Sequence, residues 1–254
     1  MLNKESFKPL LGDWFPKIQP LFENGVMNDI YSALKKQSTE GKRIAPESSD
    51  TFKCFTATPL SNLKAVICGL CPYHSEINGV IVADGLAMSC SKTGVKQPSL
   101  VNFYDGLEKE FCEGGICLEA NKSPDLSYLA EQGVLLFNAA LTTEIGKAGS
   151  HNSIWKPFTQ YVFEHIIALT GVPVIFLGKE AEEFKRYLAP MQWSFSPPHP
   201  ASASYSGTQW DTKGVIPHAN KVIHDTTGHA IWWIDDMPFY SKPLINKINY
   251  NDNK

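Results

Sequence analysis

The chain has 254 residues, 43% of them apolar and 19% charged, and its 23 Lys and Arg against 26 Asp and Glu leave a formal net charge of −3. That length suffices for one large domain with a sizeable core. No apolar run approaches the roughly 20 residues that cross a bilayer, and the opening Met1-Leu2-Asn3-Lys4-Glu5-Ser6 lacks the apolar stretch of a secretory signal, so a cytoplasmic protein with no membrane partner is expected. The charge balance excludes nucleic-acid binding driven by overall basicity, but not a local phosphate-binding face.

From the N-terminus, apolar residues at helical spacing (Ile18, Leu21, Phe22, Met27, Ile30, Tyr31, Leu34) predict helix between Trp14 and Leu34. Ile44-Ala45-Pro46 opens a polar turn, after which Thr51 to Thr56 carries Phe52 and Phe55 towards Thr58-Pro59-Leu60. Buried strands are expected at 64–68, 133–138 and 172–177, each an apolar, β-branched run ending in a loop. Helical patterns at 99–111, 123–131, 155–169 and 179–188 lie among them. Alternation of this kind predicts an α/β fold with a mainly parallel sheet. Without an internal repeat or linker, residues 1–254 are expected to form a single domain and a monomer, with a polar, Asn/Lys-rich extension from about Pro238 to Lys254.

Six cysteines (Cys54, Cys68, Cys71, Cys90, Cys112, Cys117) include one C-x2-C pair, Cys68 and Cys71. No second pair follows, Cys68 ends a predicted strand where cysteine acts as a small hydrophobe, and Cys112 and Cys117 fall in a Gly-rich loop. Neither a metal, a cofactor nor a disulfide is expected.

The first predicted strand runs into Gly69-Leu70-Cys71-Pro72-Tyr73-His74, a rigid turn at the carboxyl edge of the sheet, where open α/β sheets place their ligands. Further segments follow in order: Asp84-Gly85-Leu86-Ala87-Met88-Ser89 with Gln97-Pro98-Ser99-Leu100, then Gly133 to Thr142 with Ser150-His151 and Trp155-Lys156-Pro157-Phe158-Thr159, then Val174 to Lys179, and last Pro198-His199-Pro200-Ala201-Ser202-Ala203-Ser204. Together with Ile44 to Leu60, these collinear segments resemble the uracil-DNA glycosylase superfamily, family 1 most closely, over about two thirds of the chain.

The resemblance implies a central, mainly parallel four-stranded sheet flanked by helices. It also implies a monofunctional glycosylase that flips uracil or a related modified pyrimidine from single- or double-stranded DNA and hydrolyses its bond to deoxyribose. Asn138 would read the base, since its amide offers one donor and one acceptor side by side, matching O4 and N3–H of uracil. His199, between two prolines, would stabilise charge on O2 of the leaving base, alongside the backbone N–H groups of Leu70 and Cys71. Tyr73 would sit against C5 and exclude thymine's methyl group, and Met88 would lie where the family stacks a phenylalanine on the base. Ser99, Gly178, Lys179 and Ser204, with His74, would contact the DNA backbone.

The departures cluster at working positions. Cys71 stands where the family's Gly-Gln-Asp-Pro-Tyr-His loop has its water-orienting aspartate, and Leu70 where it has glutamine. Ala203 replaces the leucine wedge, leaving Tyr205 as the candidate intercalating side chain. Ala201 replaces a serine, and Ser206-Gly207 stands in place of an arginine. Two outcomes stay open: an attenuated or altered glycosylase, and a DNA-binding or scaffold protein that has lost catalysis, with or without a protein partner.

Overall fold

The computed structural model describes residues 2–111 and 122–234. Its strands are β1 (Ile44–Ala45), β2 (Ala65–Gly69), β3 (Glu76–Ile77), β4 (Val80–Ile81), β5 (Val134–Asn138), β6 (Thr143–Glu144), β7 (Val174–Phe176) and β8 (Ser194–Phe195). Every residue of β2, β5 and β7 is buried, the mark of strands covered on both faces. They form one parallel sheet with β8, in the order β5-β2-β7-β8. Register pairs Gly69 with Asn138 and Cys68 with Phe176, so the three long strands end level with one another. β1 pairs with β6, and β3 with β4, as two antiparallel ribbons.

Helices flank the sheet, the longest being Val26–Thr39, Pro98–Phe111, Asn152–Val162 and Val215–Thr227. Trp14, Trp155, Phe55, Phe137, Phe158 and Phe163 dominate the core between helices and sheet. The α/β class and the four-stranded parallel sheet expected above are therefore present.

Several expected boundaries move. The helical stretch from Trp14 to Leu34 divides into Phe15–Ile18, Pro20–Glu23 and Val26–Thr39. Pro20 opens the second piece and Gly25, at φ +92°, breaks the chain before the third. Only Ser127–Glu131 of the 123–131 pattern is helical. Upstream, the Ser123 and Asp125 side chains accept backbone N–H groups two residues on, a local turn that competes with helix. The helix expected at 155–169 begins at Asn152, takes a π-turn over Phe163–Ile167 and ends before Gly171 at φ +70°. Helices Ala201–Ser206 and Val215–Thr227 were not expected. Cys112, Cys117 and the extension from Pro238 lie outside the described residues.

Candidate active site

The carboxyl ends of β2, β5 and β7 gather most of the singled-out residues. Beyond the ladder, the Ala139 and Ala140 amides donate to the Gly69 and Leu70 carbonyls (2.8 and 2.9 Å), tying the Leu70–His74 turn to the loop that follows Asn138. Asn138 keeps 5% of its surface exposed. Its amide has no hydrogen-bond partner among the described residues, so one donor and one acceptor face remain for a ligand. Gly69 makes room for it: a Cβ at that position would lie 2.8 Å from Asn138 Oδ1. Thr159 Oγ1 donates to the Ala139 carbonyl (2.6 Å) and so braces the strand end.

Cys71 is half-buried, and its Sγ accepts the Gly149 amide at 3.3 Å. Burial raises the thiol pKa, with the amide opposing, so the group facing the site at neutral pH is an uncharged thiol. Cys68, the other half of the C-x2-C pair, is buried in β2 and donates to the carbonyl of Gly69. Among the described residues no group of three or more His, Cys, Asp and Glu side chains could hold a metal ion.

His151, two residues after Gly149, belongs to a polar network that sequence reasoning passed over. Trp155 Nε1 donates to Thr142 Oγ1 (2.7 Å), which leaves the threonine proton for His151 Nδ1 (2.8 Å) and the His151 Nε2–H for Gln37 Oε1 (2.8 Å). Burial depresses the His151 pKa, consistent with a neutral ring fixed in that tautomer. His151 appears in the sequence motif, but nothing there indicates that it bonds a helix more than a hundred residues upstream.

His199 is reached from β7. Gly178, at φ +90°, would carry a Cβ only 3.0 Å from the Cβ of His199, so a glycine there allows the two loops to touch. The Ala201 amide donates to His199 Nδ1 (3.1 Å). Burial lowers the imidazole pKa, while the Glu180 carboxylate pulls the other way. The ring is thus neutral near pH 7, with its proton on Nε2. Its loop is clamped from two sides: Trp210 Nε1 donates to the Pro198 carbonyl (2.8 Å) and Asn102 Nδ2 to the Pro200 carbonyl (2.9 Å). Trp210 fits against Gly106, where a Cβ would meet its ring.

Met88, largely buried, sits at φ +66°. Its loop is folded around the buried Asp84 carboxylate, which accepts from the Leu86 and Ser91 amides and from the Ser89 and Ser91 hydroxyls at 2.6–3.1 Å. The Ala87 amide fastens this loop to β5 through the Leu136 carbonyl (3.0 Å). Tyr73 Oη donates to the Met88 carbonyl (3.1 Å) and lies 2.7 Å from Ser99 Oγ.

Two of the expected DNA-contacting residues are buried. Ser99 was assigned to the DNA backbone, but its side chain is 5% exposed and its hydroxyl is engaged by Tyr73. Ala203 was placed at the wedge position, yet it is 3% exposed because the helix Ala201–Ser206 turns it into the core. Tyr205 on the same helix is 90% exposed. Lys179 and Ser204 are also exposed, the latter accepting from Asn102 Nδ2 (2.7 Å), while His74 is half-buried.

No family model matches the chain. A uracil-DNA glycosylase of Proteus mirabilis is 36% identical over 197 residues, covering 75% of this chain and 82% of that protein. A uracil-DNA glycosylase of Pseudomonas aeruginosa is 32% identical over 239 residues, covering 92% and 98%. Among solved structures, the crystal structure of mimivirus uracil-DNA glycosylase superposes with a TM-score of 0.78 at 22% identity, over 91% of this chain and 89% of that one. The enzyme from Nitratifractor salsuginis does so with a TM-score of 0.55 at 18% identity, over 79% and 90%.

Proposed function

The chain belongs to the uracil-DNA glycosylase family, and from that premise we propose that it hydrolyses the N-glycosidic bond of uracil, or of a closely related pyrimidine, flipped out of DNA. The observation that carries this reading is that the carboxyl ends of the strands and the loops they lead to hold a nearly buried Asn138 amide and a neutral His199 whose Nδ1 accepts the Ala201 amide, with neither the Asn138 amide nor His199 Nε2 hydrogen-bonded among the described residues. The amide matches the O4 and N3–H edge of uracil, and cytosine presents the opposite pattern. The Nε2–H of His199 and the amides of Leu70 and Cys71 offer hydrogen bonds to O2, where negative charge grows as the base leaves. Tyr73 guards C5 and Met88 supplies an apolar, polarizable floor.

DNA is the expected partner. Lys179, Ser204, His74 and the Gly178 loop are offered as its backbone contacts, with Tyr205 as the side chain that enters the stack. Ala203, being buried, is not part of this reading.

Without a carboxylate at position 71, water is oriented and the sugar cation balanced less strongly, so the rate on uracil is lower than an aspartate would support. The uncharged Cys71 thiol also favours a second reading, a DNA-binding protein of the same fold that does not release the base.

Mass spectrometry of single- and double-stranded oligonucleotides carrying uracil or modified pyrimidines separates the two. Free base, lost on Asn138→Ala, supports the glycosylase. Binding without release across the whole panel selects the second reading.

A further inference from the structure

Tyr73 is fixed through its hydroxyl. A carbonyl can only accept, so the bond to Met88 O (3.1 Å) uses the tyrosine proton, and the bond to Ser99 (2.7 Å) is then donated by the serine. One arrangement satisfies both, and both anchors are rigid. Met88 is held by the loop wrapped on Asp84, and Ser99 directly follows Pro98 in the first turn of the helix Pro98–Phe111. The Tyr73 ring also packs against the Ala45, Ile81 and Ala83 cluster and against the main core, so the hydroxyl bonds set its final tilt within an apolar bed.

Given the glycosylase activity proposed above, we propose that Ser99 is a positioning residue for base selectivity: by holding the Tyr73 hydroxyl it keeps the ring against C5, so that pyrimidines with hydrogen at C5 are accepted and those carrying a methyl or hydroxymethyl group are refused. In this role Ser99 acts through Tyr73 and not on the base directly. Its loss frees the ring to tilt, since the remaining bond to a single carbonyl is a hinge rather than a clamp.

The test compares release of uracil, thymine and 5-hydroxymethyluracil from otherwise identical oligonucleotides by the unaltered protein, Ser99→Ala, Tyr73→Phe and the double variant. One methyl-sized group in a pocket discriminates by roughly 10- to 200-fold, so each single variant is expected to raise the 5-substituted-to-uracil rate ratio by about tenfold or more. The double variant should raise it no further than Tyr73→Phe alone, because losing the Tyr73 hydroxyl already removes the Ser99 bond together with the Met88 one. A serine that merely supports the fold would slow every substrate alike and leave the ratio unmoved. An unchanged ratio with uracil still released overturns the proposal. Absence of uracil release from the unaltered protein overturns the glycosylase reading and this assignment with it. Should Ser99→Ala fail to fold, the near-isosteric Ser99→Cys, whose thiol is only a weak donor, takes its place and is expected to raise the ratio in the same way; an unchanged ratio there overturns the proposal.

Discussion

The Gly149 amide points at the Cys71 sulfur from 3.3 Å. The donor is backbone, set by the Lys147–His151 turn and not by the side chain at 71, so it is equally available to a carboxylate there. Hydrogen bonds to the charged form stabilise it, and the site is therefore already arranged to receive an ionised acid.

Cys71→Asp should accordingly raise the single-turnover rate of uracil release, by roughly 10²-fold if the new carboxylate recovers the low end of what a positioned acid or base contributes. Cys71→Ala should change the rate little, because the neutral thiol supplies no charge. A large loss in Cys71→Ala would instead give the thiol a part in the chemistry. Rapid-quench base release on both variants checks the prediction.

Protonation of His199 would place a second N–H against the Ala201 amide that now donates to Nδ1. Burial, the largest influence, holds the ring below its ordinary value, which is about 6.5. The sign follows: the neutral ring persists as pH falls through that ordinary value and is lost only below it. The rate should stay level from neutral pH to somewhat under 6.5 before falling. Removing the opposing Glu180 carboxylate with Glu180→Gln should move the fall to still lower pH. A pH–rate profile under single-turnover conditions measures both. The same shift makes stability attributable to His199 and His151 complete above about 6.5 and lost as pH drops through their depressed values.

At Gly69 the constraint is steric. Its backbone is ordinary strand, paired with Asn138 across the sheet, so a methyl group costs nothing in conformation but collides with Asn138 Oδ1 at 2.8 Å. Gly69→Ala should leave the fold intact and displace the amide. A misplacement near 1 Å costs on the order of 10²-fold in rate. Melting temperature close to that of the unaltered protein, with uracil release reduced to that extent, is the expected pair of results.

How far the sequence reveals these features depends on what encodes them. β2 and β5 are legible because strands buried on both faces are written as unbroken apolar runs, Ala65–Gly69 and Val134–Asn138. β8 is not, since Ser194–Phe195 is too short for any periodicity to register and forms only by pairing with β7. At the site, Asn138, Tyr73 and His199 are legible as motif residues. The direction of a neighbouring side chain is not: Ser99 turns to Tyr73, and Ala203 turns inward on a six-residue helix without a periodic signal. Contacts made by distant backbone, such as Gly149 on Cys71 across 78 positions, leave no mark in local composition.

Tyr205 offers a test of the DNA face. At 90% exposure on the surface of the helix Ala201–Ser206, its ring gains nothing from the fold and is free to enter a base stack. Tyr205→Ala should therefore leave melting temperature unchanged while slowing uracil release from double-stranded DNA more than from single-stranded DNA, where no stack has to be filled. Equal effects on both substrates would assign the ring to general DNA contact.

Trp210 is the support on which the His199 loop depends. Its indole is 2% exposed. It packs against Phe103 at a ring separation of 5.5 Å and against Gly106, and spends its single N–H on the Pro198 carbonyl. Trp210→Phe keeps an aromatic ring in the notch but removes that donor, leaving a carbonyl next to the imidazole without its clamp. Losing one such bond costs about 1 kcal/mol, and the space left by the smaller ring adds to it, so thermal denaturation should show a loss above that figure. The loop should also gain freedom, and because His199 is proposed to act on charge that appears only as the base leaves, the loss should fall on kcat and not on KM. Asn102→Ala removes the clamp on the Pro200 carbonyl from the opposite side. If the two clamps act through one loop, the double variant should lose less kcat than the product of the single losses, whereas independent effects would multiply.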